Sequence, residues 1–185
     1  MINYNNLSFS NSEPPVDEKI VSRTEKKLKC QFPPDYRDFL LKVNGGVPST
    51  CEYHTEQWGP LCIDCFYGIT RTRDSSDLIY EQDDDDLATG FLNIGFDPGS
   101  APYYLVISGE ETGNVYLRDT GLMDEDGEPA LYLITTSFRE FLQILSRATP
   151  RRPRTAANAP PPDNTPSESA APEKPAPKAS KKRRK

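Results

Sequence analysis

The segment Phe91–Asp119, FLNIGFDPGSAPYYLVISGEETGNVYLRD, decides the fold class. Three runs rich in aromatic and branched residues, Phe91–Phe96, Tyr103–Ser108 and Asn114–Asp119, are separated only by the turn formers of Pro98–Pro102 and Glu110–Gly113. Parallel neighbours would need crossovers of a dozen or more residues, usually helical, and no such segment lies between these runs. The strands are therefore antiparallel. Working outward, Leu61–Ile69 precedes them and Ala130–Ile134 follows, the latter joined through Asp124-Glu125-Asp126-Gly127. A weak helical signal at Ser76–Glu81 lies between.

Helical patterning flanks this strand region. Pro15–Lys29 carries Val16, Ile20, Val21, Thr24 and Leu28 as one stripe, with Pro15 suited to a first turn. A second helix starts at Pro33-Pro34-Asp35 and places Tyr36, Phe39, Leu40 and Val43 on one face. Asn44-Gly45-Gly46 then supplies residues that tolerate left-handed backbone and end it. A third begins at Ser137, where Glu140 completes a capping box ahead of Phe138, Phe141, Leu142 and Leu145. The fold class is α+β: an antiparallel sheet packed with about three helices.

Composition places the domain boundary. The chain has 185 residues and a formal charge of −6, but the charge is split. Met1–Ser146 carries 11 basic and 25 acidic residues, a net of −14; Arg147–Lys185 carries 11 basic and 3 acidic, a net of +8. The second part holds 9 of the 18 prolines and no aromatic residue, Leu, Ile, Val or Met. It cannot bury enough apolar surface to offset the entropy of ordering, so residues 147–185 read as a disordered basic tail on a domain of residues 1–146. No apolar run reaches the ~18–20 residues of a membrane helix. The first residues are polar and hold Pro14 and Pro15, unlike a signal peptide. Four cysteines without an export signal are expected to stay reduced, which makes the expected compartment the cytoplasm.

The order of these motifs resembles the SUKH superfamily, which includes bacterial immunity proteins and fungal cell-wall-assembly regulators. The matching residues are Ile20 and Glu25, then Phe32-Pro33-Pro34-Asp35-Tyr36-Arg37-Asp38-Phe39-Leu40, then Asn44-Gly45-Gly46. Ile94-Gly95-Phe96-Asp97 with Gly99, Tyr103–Ser108, Gly113-Asn114-Val115-Tyr116 and Ser137-Phe138-Arg139-Glu140-Phe141-Leu142 follow. The resemblance spans Val16 to Leu145. It implies binding rather than catalysis: bacterial members are typically encoded beside toxins, often nucleases or deaminases, and neutralise them by direct contact. The rival implication is a regulatory adaptor that binds host signalling or cell-wall-assembly proteins and is localised by its basic tail.

Chemistry-bearing patterns are few. Cys51-x2-His54-x7-Cys62-x2-Cys65 has zinc-like residue types. Against zinc, a Leu61–Ile69 strand would turn Cys62 and Cys65 to opposite faces, and Ile63 and Phe66 crowd the pair. The cysteines are read as small core residues, and no metal or cofactor is assigned. Cys51 and His54 as a nucleophilic pair lack a separate orienting group, and His54 is the only histidine, so no catalytic residue is assigned. The acidic runs do not fit the calcium loop template, because Gly127 in its glycine slot would put Leu122 at the first ligand position.

What remains is charge. Asp83, Asp84, Asp85 and Asp86, Glu110 and Glu111, and Asp124, Glu125 and Asp126 are expected on connections with no structural duty, as candidate partner-binding residues. A basic partner, such as a toxin domain with a phosphate-holding groove, would be steered by such a surface. The terminal Lys181, Lys182, Arg183, Arg184 and Lys185 read as a localisation signal, a nucleic-acid anchor, a membrane-surface contact or a solubilising end.

Overall fold

The computed structural model describes residues 1–70, 77–123, 127 and 129–148. The order of elements begins earlier than the sequence pattern suggests: β1 (Ile2–Tyr4) and β2 (Leu7–Ser10) form a hairpin. Asn5 and Asn6 sit at φ 50 and 64, the left-handed pair that matches the twist of a two-residue hairpin turn. Leu7 and Phe9 point from β2 into the core.

Helix α1 (Glu18–Leu28) starts three residues later than the Pro15 expectation, because the Asp17 carboxylate accepts the Ile20 N–H and fixes the cap there. It ends at Lys29, in left-handed backbone at φ 55. Helix α2 (Pro34–Lys42) carries Arg37, whose guanidinium reaches back to Glu18, Ser22 and Glu25 on α1. Glu25 also accepts the Phe32 N–H, so one carboxylate secures both the helix pair and their connection.

After α2 come β3 (Val47–Pro48), β4 (Glu52–Thr55), β5 (Gly59–Cys62) and β6 (Cys65–Phe66). The remaining elements are α3 (Asp84–Ala88), β7 (Phe91–Phe96), β8 (Pro102–Val106), β9 (Val115–Met123), β10 (Pro129–Thr135) and α4 (Phe138–Arg147). The main sheet has the order β10-β9-β8-β7-β6, with β1-β2-β3 and β4-β5 as smaller sheets, all paired antiparallel. The architecture is α+β, as the strand spacing required. The expected Leu61–Ile69 strand is broken: Cys62 ends β5, and Cys65 opens β6 in another sheet. The break has a cause, since the Ile63 N–H donates to Cys51 O and the Asp64 N–H to Phe96 O, in opposite directions. Of the helical signal at 76–81, Ser76 lies outside the described residues, and 77–81 form a turn on Asp77, whose carboxylate takes the Ile79 and Tyr80 N–H groups.

The core lies between the sheet and α2 and α4. Phe39 stands at its centre, with ring centroids of Phe9, Phe66 and Phe138 at 5.5, 5.4 and 5.2 Å. Leu92, Ile94, Tyr103, Leu105, Val115 and Leu117 form the inner face of the sheet, and Tyr103 stacks on Phe141 of α4 at 5.5 Å. Ser137 caps α4 by accepting the Glu140 N–H, as the capping box predicts.

The Asn44-Gly45-Gly46 turn does more than end α2. Asn44 is buried at φ 58, and its amide donates to Pro14 O at 2.6 Å and Ile69 O at 3.0 Å while accepting the Ile69 N–H at 2.8 Å. Three chain segments meet on one side chain. Gly45 passes so near the next segment that a Cβ there would stand 2.6 Å from the Gly68 nitrogen.

Candidate partner-binding surface

Side chains alternate across a strand, so the face opposite the core collects Phe91, Asn93, Tyr104, Val106, Tyr116, Arg118, Leu131 and Leu133. Over β7 and β8 this outer face is covered, for Tyr104 and Val106 are buried there and α3 packs beside β7. Over β9 and β10 it is open, with Leu131 and Leu133 at 41% and 39% exposure.

The acidic run Asp83–Asp86 lies at the boundary between the covered and open parts. It is a helix start, not a loop. Asp83 caps α3 by accepting the Asp85 and Asp86 N–H groups, and three acids in the first turn suit the positive end of a helix. Asp86 turns toward the sheet and meets Arg118 in a two-pronged ion pair, with Nη2 to Oδ1 at 2.7 Å and Nη1 to Oδ2 at 3.2 Å. It also accepts the Tyr104 hydroxyl at 2.6 Å. The expectation that all four aspartates lack a structural duty fails at Asp83 and Asp86. The physical reason is non-local: Arg118 and Tyr104 present donors that only the sheet brings under α3.

Burial works against the Asp86 charge, but the Arg118 and Tyr104 donors outweigh it and hold the carboxyl below the usual value. Burial and the bond to Asp86 push the Tyr104 hydroxyl up. Asp84 and Asp85 remain exposed, and among the described residues neither takes part in an ion pair.

Glu110 and Glu111 sit in the turn between β8 and β9, and both are exposed. The Ile107 N–H donates to Gly90 O at 2.8 Å, which fixes the start of this turn beside the end of α3. Glu111 accepts the Tyr116 hydroxyl at 3.1 Å, and Phe91 packs on both Tyr104 and Tyr116. The structure thus brings the 83–86 and 110–111 acids to the rim of one face. Asp124, Glu125 and Asp126 lie outside the described residues, as do the tail beyond Ala148 and its Lys181–Lys185 cluster.

The zinc-like and nucleophile-like patterns do not assemble. Cys51 is buried while His54, on β4, is exposed and lines an open depression of about 510 Å³ with Glu52 and Arg147. Among the described residues no group of three or more His, Cys, Asp or Glu stands close enough to hold a metal ion. Burial pushes the Cys30 and Cys65 thiols up to about 11. Tyr103 donates to Cys62 O at 2.9 Å, which leaves the Tyr53 hydroxyl to donate to Tyr103, also at 2.9 Å. This is a buried polar link between the β4–β5 hairpin and β8.

Trp58 escaped the sequence reading. It sits in the turn of the β4–β5 hairpin, stacks on Tyr132 of β10 at 4.2 Å and donates its indole N–H to Leu133 O at 3.4 Å. The signal available was a lone tryptophan beside Gly59 in a polar turn.

Fold and surface together define an antiparallel α+β domain with its helices around an aromatic core and an acid-rimmed, partly open sheet face. The family described as SMI1 / KNR4 family (SUKH-1) matches residues 15–144. The chain belongs to that family. No curated protein matches it significantly. Among the described residues no helix is long and apolar enough to cross a membrane.

Proposed function

We propose that this is a non-enzymatic protein-binding domain of the immunity type, which neutralises a basic toxin domain by direct contact through its acidic connections. The observation that carries the reading is the set of exposed acids Asp84, Asp85 and Glu110, none of them in an ion pair among the described residues. They rim one face in a domain with 25 acidic and 11 basic residues. Exposed like charges cost stability through mutual repulsion, and a cationic partner relieves that cost on binding. Such charges raise the encounter rate above all. Residues 1–146 act in this reading as the binding unit, in the cytoplasm, and residues 147–185 as an appended basic tail.

The experiment is co-expression with the toxic C-terminal domain encoded by the neighbouring reading frame. Restored growth and a co-purifying complex support the reading; unrelieved toxicity with no complex contradicts it. The Lys181–Lys185 terminus is the feature that favours the regulatory-adaptor alternative. In that case, removal of residues 147–185 shifts the protein's location, and co-expression with the toxic domain relieves no toxicity.

A further inference from the structure

Strand β10 lies at one edge of the main sheet. The Val106 N–H donates to Asn114 O at 2.9 Å and the Gly113 N–H to Val106 O at 2.8 Å, so Val106 and Tyr104 direct their backbone groups at β9. Tyr104 lies opposite Tyr116; alternation then turns Leu117 and Asp119 toward β10. Leu117 faces Tyr132 and Asp119 faces Ala130, so these pairs close the β9–β10 ladder. Leu131 and Leu133 consequently turn their N–H and C=O groups to the far side of β10, where no described strand lies. The Trp58 bond to Leu133 O confirms that direction.

An open strand edge is ordinarily blunted by charge, proline or a covering loop. Here Pro129 stands at one end of β10 and Trp58 takes one acceptor near the other. Between them the Leu131 N–H and C=O face away from the ladder with no partner among the described residues, and the outer face of this stretch carries Leu131 and Leu133. The groups around the edge are acidic. Glu111 is bonded to Tyr116, Asp119 to Tyr132, and Glu56 lies two residues before Trp58; none has a cation among the described residues.

Resting on the protein-binding reading above, we infer that an extended segment of a basic partner adds to β10 as a sixth strand of the main sheet. Its apolar side chains alternate with Lys or Arg. The residue paired with Leu131 shares its face, so apolar partner side chains lie along Leu131 and Leu133. The intervening cations fall on the other face, toward Asp119 and the Trp58 ring. A second copy of this domain is the poorer occupant, since it would set two strongly acidic surfaces edge to edge.

The test uses the full chain and an acetylated, amidated heptapeptide, Lys-Val-Lys-Val-Lys-Val-Lys, followed by amide NMR and calorimetry at low salt. A control peptide with the same charge has its valine nitrogens methylated and cannot donate to the edge. The inference expects slowed exchange of the Leu131 and Leu133 amides on binding, and binding about tenfold weaker for the methylated peptide. Leu131→Pro, which removes the outward N–H together with the leucine side chain, is expected to weaken binding at least as much. Equal binding of the two peptides overturns strand addition and leaves acidic attraction standing. If neither peptide binds, strand addition and acidic attraction fall together. Self-association abolished by Leu131→Pro overturns the proposed occupant in favour of a second copy.

Discussion

Asp86 on α3 and Arg118 on β9, 32 residues apart in sequence, meet in a two-pronged ion pair that fastens the acidic helix to the outer face of the sheet. Both side chains are mostly buried, at 18% and 26% exposure. The pair divides the acidic run into two kinds of residue: Asp83 and Asp86 hold structure, while Asp84 and Asp85 face solvent.

The first prediction follows from that division. Asp86→Ala leaves Arg118 and Tyr104 without their acceptor and is expected to cost about 1–3 kcal/mol in urea unfolding. Asp84→Ala and Asp85→Ala should stay within about 0.5 kcal/mol of the parent. Equal losses at all positions would remove the distinction.

Acid should loosen the same contact. The Asp86 carboxyl lies below its usual value because the Arg118 and Tyr104 donors outweigh burial, and the Asp38 carboxyl does so chiefly through the Tyr4 hydroxyl. Each group is more readily protonated unfolded than folded. The stability it contributes is therefore complete above the unfolded value near ~4 and lost as pH falls through the folded one. Urea midpoints measured from pH 6 downward should decline in that window, and Asp86→Asn should flatten part of the decline.

Asn44→Ala should be among the most damaging single changes, at about 2–4 kcal/mol. It strips three hydrogen bonds from a buried side chain and places alanine in left-handed backbone. Gly45→Ala should also destabilise, through the approach of Gly68. Thermal unfolding of both variants checks this.

The thiols give a chemical check on the absence of a metal assignment. Burial holds Cys30 and Cys65 up to about 11, so iodoacetamide at pH 7.5 should modify them much more slowly in the folded protein than in urea. A chelator should leave the melting temperature unchanged. A fall on chelation would revive the zinc pattern.

Much of this fold was legible because its signals are local. Ser137 with Glu140, the Phe91–Phe96 strand and the Asn44-Gly45-Gly46 stop each work within a few residues of themselves. The N-terminal hairpin was equally local: Asn5-Asn6 between alternating Ile2, Tyr4, Leu7 and Phe9 is a hairpin pattern, masked by polar residues and short strands. The α3 start was also readable, since an aspartate cap followed by acids is a helix signal. What no local pattern holds is the partner of Asp86, or the contact of Trp58 with β10, because the sheet alone brings those residues together.

The central claim, that exposed acids on the connections bind a basic protein, is tested most directly by association kinetics. Asp84→Lys, Asp85→Lys and Glu110→Lys are combined in one chain, and stopped-flow rates with a confirmed basic partner are measured across ionic strength. The expected result is a melting temperature unchanged within a few degrees and association slowed at least about tenfold at low salt. That difference should close as screening shortens the reach of charge to ~3 Å near 1 M. An association rate equal to the parent's at low salt would contradict it.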